Sequence, residues 1–168
     1  MFRAGVLTVS DSSFSNIRPD TTGPTIKQIL ESNGFQVVVS TVVPDNIDSI
    51  SSTLKKWADE AHLELVITTG GTGLSPNDVT PEATSKIIHR IIPGISEAIR
   101  SAGLKSTSYA MLSRGVAGIR SRCLIINLPG SPSAVNEGME VIIPILEHAI
   151  LKIKGDKTPC YQPKDKKE

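Results

Sequence analysis

Strand-like runs alternate with amphipathic segments along most of the chain. Residues 5–9, 35–43 and 65–68 are short runs rich in apolar and β-branched residues, and each ends at polar or turn-forming residues. Between these runs, apolar residues recur at helical spacing. Strands that alternate with amphipathic helices are joined by right-handed crossovers and form a mostly parallel sheet with helices on both faces. The sequence therefore predicts an α/β fold with three layers.

The residues after the third strand contain signals for two further helices. Thr80 is the predicted N-cap, Pro81 occupies the first helical position, and this helix is expected to run toward Arg90. Pro93 and Gly94 interrupt the pattern, and another helix is predicted after them.

A hairpin and a long helix are predicted in the last third of the chain. Residues 115–120 and 123–128 are separated by a tight turn and are expected to form a small antiparallel hairpin joined to the main sheet. Ser131 ahead of Pro132 is typical of a helix start, and a stripe of apolar residues follows it.

The length and composition indicate one domain. The chain has 168 residues, of which 39% are hydrophobic, and this is enough for one substantial core. We expect that domain to span residues 1–154. Residues 155–168 are charged and contain prolines, so they are interpreted either as a flexible tail or as a truncated linker to another domain.

The charge balance gives no sign of a strongly charged partner. Eighteen basic and seventeen acidic residues leave a formal net charge of +1, so no overall field favours nucleic acid or an anionic membrane surface. No apolar run is long enough for membrane insertion, and the first residues are strand-like, which favours a cytoplasmic protein. Cys123 and Cys160 have neither a disulfide pattern nor metal-ligand spacing.

A glycine-rich loop follows the third predicted strand. Gly70, Gly71, Thr72 and Gly73 would let the backbone approach an anion closely and present its N–H groups to it. The loop lacks the lysine of a Walker A motif and the spacing of a dinucleotide fingerprint. On local pattern alone, an anion cradle and a simple flexible turn are about equally favoured.

Three aspartates follow predicted strands and are candidate ligands or catalytic groups. Asp45 and Asp78 could meet at the carboxyl edge of a parallel sheet and hold Mg²⁺ together with nucleotide phosphates. Asp45 could instead be a helix N-cap, whereas Thr80 already occupies the cap position after Asp78. Asp11 is a third acidic candidate, and a turn-forming role is at least equally favoured for it.

Two other segments could contact an anionic ligand. Pro129, Gly130 and Ser131 form a predicted strand-to-helix turn with free backbone N–H groups, although Ser131 also fits a simple cap. Ser113 and Arg114 offer a hydroxyl and a guanidinium suited to an anion.

Taken together, the ordered motifs resemble the molybdopterin adenylyltransferases, and most of all the G domain of gephyrin and its plant counterpart. The resemblance covers roughly residues 3–154. The motifs that carry it are Val9-Ser10-Asp11, Val43-Pro44-Asp45, Thr69-Gly70-Gly71-Thr72-Gly73, Asp78-Val79-Thr80-Pro81-Glu82-Ala83-Thr84, Met111-Leu112-Ser113-Arg114, Gly118-Ile119-Arg120 and Leu124-Ile125-Ile126-Asn127-Leu128-Pro129-Gly130.

The resemblance implies roles for particular residues. Asp45 and Asp78 match two family aspartates tied to nucleotide handling and catalysis, and Ser113 matches a serine near the terminal phosphate of the pterin. The loop from Gly71 to Gly73 matches the segment that binds the pterin and its phosphate. Two positions depart from the family, because Leu74 and Asn77 stand where relatives often carry phenylalanine and arginine. Loss of that arginine would weaken anion binding.

The resemblance also implies an activity and an assembly. The expected reaction is adenylyl transfer from ATP to the phosphate of molybdopterin with Mg²⁺, in a homotrimer that works with a molybdate-insertion domain in the same or a separate chain. Two alternatives stay open. One is a non-catalytic trimeric scaffold of the gephyrin type, and the other is a different nucleotide-handling enzyme on the same sheet.

Overall fold

A single six-stranded sheet organises residues 1–159, the part of the chain that the computed structural model describes. The strands are β1 (Phe2–Val9), β2 (Phe35–Val43), β3 (Leu65–Thr69), β4 (Arg90–Ile91), β5 (Ala117–Arg120) and β6 (Cys123–Leu128). Their order in the sheet is β2-β1-β3-β6-β5-β4. β1, β2, β3 and β6 run parallel, and β5 is antiparallel to both β6 and β4.

Helices cover both faces of the sheet. The helices are α1 (Asp11–Phe14), α2 (Thr22–Ser32), α3 (Ile47–Lys55), α4 (Thr80–Ser85), α5 (Pro93–Gly103) and α6 (Pro132–Ile153), with a π-helical turn at Lys56–Glu60 and a 3₁₀ turn at Ser108–Leu112. Successive strand residues point to opposite faces, so Val6 packs on one side with α2, α5 and α6, and Leu7 packs on the other side with α3 and Trp57. The predicted three-layer α/β fold is therefore confirmed.

The structure corrects the predicted helix toward Arg90. α4 ends at Ser85, and Arg90 begins the short strand β4, which pairs with β5. Gly118 explains this pairing, because a Cβ there would lie 2.5 Å from Ile88 Cδ1 and 2.7 Å from Arg90 O. The segment around Arg90 therefore pairs with β5 although its apolar residues have helical spacing, because glycine at position 118 lets the two backbones approach closely.

The last third of the chain follows the prediction. β5 and β6 form the antiparallel hairpin, and Ser121 adopts a positive φ of 52° in its turn. Ser131 caps α6, since its hydroxyl accepts a hydrogen bond from the Ala134 N–H at 3.4 Å. Within residues 1–159, none of the helices is both long enough and apolar enough to span a bilayer. The predicted tail at 155–168 lies mostly outside the described residues, from Cys160 onward.

Candidate active site

The glycine-rich loop lies between the carboxyl ends of β1 and β6. Gly70 donates its N–H to Leu128 O at 3.2 Å, and its φ is +94°. A Cβ on Gly70 would lie 2.2 Å from Val9 O, so only glycine fits. Gly130 packs directly on Gly70, with its Cβ position 3.2 Å from the Gly70 Cα. The loop is therefore held tightly at its base.

Thr80 holds the loop in place. The sequence predicts Thr80 as the N-cap of α4, and the structure shows that this prediction is wrong. Val79 is the N-cap residue, and Thr80 is already helical. Its buried hydroxyl donates to Gly70 O at 2.8 Å, and its N–H donates to Gly71 O at 3.0 Å. Thr80 lies inside the helix and makes no cap hydrogen bond, and its hydroxyl donates to the loop.

Arg114 holds the other half of the loop. Its Nε donates to Gly73 O at 2.8 Å, its Nη2 donates to Asp78 O at 2.6 Å, and its Nη1 is paired with Glu82. The hydrogen bond from Arg114 to Glu82 also keeps the pKa of the Glu82 carboxyl below its ordinary value. The guanidinium predicted for an anionic ligand is therefore used to fix the loop, because rigid donors in a fork suit several backbone oxygens at once.

Asp45 and Asp11 join the ends of β2 and β1. The N–H of Asp11 donates to Asp45 Oδ2, and the N–H of Asp45 donates to Asp11 Oδ1. The alternative role of Asp45 as an N-cap is wrong, because Asn46 caps α3 by accepting from the Ser49 N–H. The side chain of Asp45 therefore remains available at the site.

The pKa of the Asp45 carboxyl is raised above its ordinary value of 3.8. Burial is the largest cause, and the hydrogen bond from the Asp11 N–H opposes it. The negative charges of Asp11 and Asp78 raise the pKa further. The three carboxylates thus make a region of negative potential beside the loop, and a cation there would lower their mutual repulsion.

Asp45 and Asp78 flank the glycine-rich loop at neighbouring glycines. Asp45 Oδ1 lies 3.0 Å from the position of a Cβ on Gly71, and Asp78 Oδ2 lies 2.9 Å from that of a Cβ on Gly73. Asp78 Oδ2 also accepts from the Ser75 N–H at 2.9 Å. The two aspartates therefore lie at the same edge of the sheet, as the sequence predicts.

A cavity of about 500 Å³ lies against the same loop. Asp11, Asp45 and Asp78 are not among the described residues that line it. Thr72 and Gly73 line the cavity, and Gly73 also lies beside Asp78, so the predicted site residues form two adjoining groups. The predicted residues that line the cavity are Thr72, Gly73, Ser113, Pro129, Gly130 and Ser131.

Sequence reasoning missed three side chains that shape the site. Arg100 lines the cavity and donates to the carbonyl oxygens of Ser113 and Gly115, each at 3.3 Å. Glu137 also lines the cavity. Buried Asn127 lies beneath the loop, where its Nδ2 donates to the hydroxyls of Thr68 and Thr84. The two Asn127 contacts join residues 59 and 43 positions apart, and the two Arg100 contacts join residues 13 and 15 positions apart, so no local pattern signals them.

The sequence and the fold are both similar to proteins of molybdenum cofactor synthesis. Residues 5–148 match the family model described as "Probable molybdopterin binding domain". A "Molybdopterin adenylyltransferase" of Helicobacter pylori is 39% identical over 155 residues, which cover 90% of this chain and 88% of that protein. The solved structure of "the Molybdopterin biosynthesis enzyme MoaB" from Thermus thermophilus has a TM-score of 0.88 at 47% identity, and the match covers 93% of this chain and 98% of that one.

A longer relative is similar over the same region. The "Molybdenum cofactor synthesis protein cinnamon" of Drosophila melanogaster is 43% identical over 153 residues, which cover 90% of this chain. The present chain spans only 26% of the length of that protein.

Proposed function

The chain belongs to the molybdopterin-binding family of domains, and from that premise we propose that it transfers an adenylyl group from ATP to the terminal phosphate of molybdopterin. One observation carries the proposal. A cavity large enough for a small ligand and a pair of carboxylates lie against the same loop, since Thr72 and Gly73 line the cavity. Asp45 lies beside Gly71 and Asp78 beside Gly73. Two substrates on either side of that loop would have their reacting phosphates next to each other.

The cavity side of the loop suits the phosphate-bearing pterin. Gly130 and Ser131 precede α6, whose first backbone N–H groups and positive dipole end favour an anion. Ser113 adds a hydroxyl, and Arg100 adds a positive charge to the lining. We propose that the loop from Gly70 to Gly73, with Ser113 and Pro129 to Ser131, holds the pterin phosphate.

The carboxylate side suits the nucleotide and a divalent cation. Asp45 Oδ1 and Asp78 Oδ1 accept no hydrogen bond from within residues 1–159. The raised pKa of Asp45 reflects its burial first and then its repulsion by Asp11 and Asp78, which a cation would relieve. No group of three or more His, Cys, Asp or Glu side chains suited to a metal occurs among the described residues. Two carboxylates are nevertheless enough for Mg²⁺, because it usually takes its other ligands from phosphate oxygens and water. When bound there, Mg²⁺ would neutralise charge on the triphosphate.

The reaction needs no protein nucleophile. An oxygen of the molybdopterin phosphate attacks the α-phosphorus of ATP and forms a new phosphorus–oxygen bond. The bond from the α-phosphorus to the oxygen that bridges to the β-phosphorus breaks, and pyrophosphate leaves with the bonding electrons. The protein then contributes position and charge, since the loop N–H groups hold the attacking phosphate and the aspartates organise the nucleotide.

Pyrophosphate release tests the proposal directly. The purified chain should release pyrophosphate from ATP only when molybdopterin and Mg²⁺ are both present. Asp78→Asn should cut that turnover by about a hundredfold or more, while the fold is kept because an amide oxygen can still accept from the Ser75 N–H.

The control is Asp48→Asn, which removes an exposed carboxylate from the first turn of α3 and should leave turnover unchanged. Turnover by Asp78→Asn at the parent rate would rule out the role of Asp78. A parent chain that binds molybdopterin but never releases pyrophosphate would favour the scaffold alternative.

The proposal extends to the assembly. A homotrimer, and a molybdate-insertion domain in the same or a separate chain, would place this step beside the next one in cofactor synthesis. The chain's match to only about a quarter of the Drosophila relative is consistent with attachment to further domains. Light scattering on the purified chain would test the trimer, and a mass of one subunit would argue against it.

A further inference from the structure

The cavity has two chemically different parts. Gly130 and Ser131 line the part beside the start of α6, where backbone N–H groups favour an anion. Glu137, Ser106 and Thr107 line another part, where a carboxylate and hydroxyl groups are available. A ligand with a phosphate on one side and hydrogen-bond donors on the other would match this arrangement.

Glu137 has a defined orientation in the cavity. Its Oε1 accepts a hydrogen bond from the Ser106 hydroxyl at 2.6 Å. Its Oε2 accepts none from within residues 1–159 and lies beside Gly103, 3.7 Å from the position that a Cβ on this glycine would take. Glu137 follows the Ser131 cap by six residues of α6, a rise of about 9 Å. That rise is comparable with the length of a fused-ring ligand that bears a phosphate.

The position and chemistry of Glu137 match one edge of a pterin. The pyrimidine ring of a pterin presents its 2-amino group and its N3–H side by side, so this edge offers two adjacent donors. An ionised carboxylate is an acceptor only and can take both bonds in parallel, while Oε1 still accepts from Ser106 through its other lone pair.

We propose that Glu137 is the residue that selects a pterin at this site, by accepting hydrogen bonds from the 2-amino group and N3–H, and that Ser106 positions it. This inference rests on the proposed function, because it takes the cavity to be the pterin site. Arg100 binds backbone oxygens with one of its nitrogens and lies on α5, and no ion pair joins it to Glu137 among the described residues. The carboxylate is therefore available to a ligand.

The test compares two probes that differ at the recognised edge. One is the phosphate ester of 6-hydroxymethylpterin, and the other is its lumazine counterpart, in which an oxygen acceptor replaces the 2-amino donor. The parent chain should bind the pterin probe about tenfold or more tightly than the lumazine probe by calorimetry. Glu137→Gln should lose or invert this preference, because glutamine presents one donor and one acceptor and so matches lumazine.

The matched control is Glu140→Gln on the same helix, where an exposed carboxylate outside this cavity is changed. It should keep the parent preference. Ser106→Ala should weaken the preference without inverting it, because Glu137 loses its orienting hydrogen bond but keeps its charge.

Two results would overturn the inference, and only the second would also overturn the proposed function. If Glu137→Gln retains the parent preference for pterin while the parent chain adenylates molybdopterin, only the role of Glu137 is wrong. If the parent chain binds neither probe nor molybdopterin, the proposed function is wrong as well. Equal thermal unfolding of the parent and Glu137→Gln chains would show that a loss of preference is not a loss of fold.

Discussion

Asp11 and Asp45 exchange hydrogen bonds, with the backbone N–H of each donating to the carboxylate of the other at 2.8 and 2.9 Å. The exchange joins the residues that follow β1 and β2, which are neighbours in the sheet. It uses one oxygen of each carboxylate and turns Asp45 Oδ1 toward Gly71. The pair therefore sets the direction of the side chain proposed to organise the nucleotide.

Asp45→Asn should lower activity and raise stability. The amide oxygen can replace Oδ2 as the acceptor from Asp11, but the negative charge proposed to act on the nucleotide is lost, so turnover should fall by about a hundredfold or more. Removal of a partly buried charge that Asp11 and Asp78 repel should raise the midpoint of thermal unfolding at neutral pH. Differential scanning calorimetry in metal-free buffer measures this change.

The stability gained by Asp45→Asn should depend on pH. Because the pKa of Asp45 is raised in the folded state, its protonated form favours folding. That contribution is fully present below the ordinary value of 3.8 and is lost as the pH rises through the folded-state pKa. The stability gained by Asp45→Asn should therefore vanish in acid, and a gain that is the same at every pH would contradict this origin.

Asp59→Asn should have the opposite effect on stability and none on turnover. Asp59 accepts hydrogen bonds from Arg120 and Ser121, and the Arg120 hydrogen bond is the largest cause of a pKa below the ordinary 3.8. Its contribution to stability is present above that value and is lost as the pH falls through the folded-state pKa. The variant should unfold at a lower temperature near neutral pH, and the difference should shrink in acid.

Turnover provides the second readout for Asp59→Asn. Asp59 and the turn between β5 and β6 lie at the amino end of β6, whereas the loop contacts its carboxyl end at Leu128. The rate of pyrophosphate release should therefore stay at the parent value below the unfolding transition. A fall in this rate as large as that expected for Asp45→Asn would show that the proposed site omits a residue that activity requires.

The central strands β1, β3 and β6 were predictable from sequence because they are buried on both faces over most of their length. Leu65, Val66 and Ile67 are all fully buried, and such runs are recognised without any tertiary information. β4 was missed because it has only two residues and exists through its pairing with β5. α1 was missed because Asp11 and its polar neighbours are typical of turns, and the single helical turn they form is capped by Ser10.

The sequence predicts which loops form the candidate site, but it does not predict the side-chain contacts within it. Parallel strands bring their carboxyl ends to one edge, so the meeting of Asp45 with the loop after β3 followed from topology. The partners of Arg114 did not, because it contacts Gly73 across 41 positions. Glu137 carried no signal either, since nothing in an amphipathic helix marks which glutamate will face a cavity. The chemical roles of all these residues stay predictions.

Gly70→Ala should destabilise the fold and abolish activity. Gly70 has a φ of +94°, and a Cβ would lie 2.2 Å from the backbone oxygen of Val9. Strain and the forced shift together should cost about 2 to 4 kcal/mol in the free energy of unfolding, measured by urea titration. The control is Gly94→Ala, where a Cβ meets nothing within 4 Å and helical geometry favours alanine. Equal losses in the two variants would contradict this account.

Arg114→Lys should impair the site although it keeps the positive charge. Arg114 donates to Gly73 O and Asp78 O and is paired with Glu82, and a lysine ammonium cannot reach these three acceptors from one planar fork. The part of the loop beside the cavity and Asp78 should become more mobile. We expect the KM for molybdopterin to rise and kcat to fall, each by about tenfold, in steady-state pyrophosphate release.

Glu82→Gln tests whether the ion pair of Arg114 or its hydrogen bonds to the loop carbonyls maintain the site. It removes the charged partner of Arg114 but leaves the hydrogen bonds to Gly73 and Asp78 in place, so its effect on KM and kcat should be much smaller than that of Arg114→Lys. The exposed ion pair itself contributes little, about 0 to 1 kcal/mol. If Glu82→Gln is as damaging as Arg114→Lys, the ion pair and not the bonds to the loop carbonyls maintains the site.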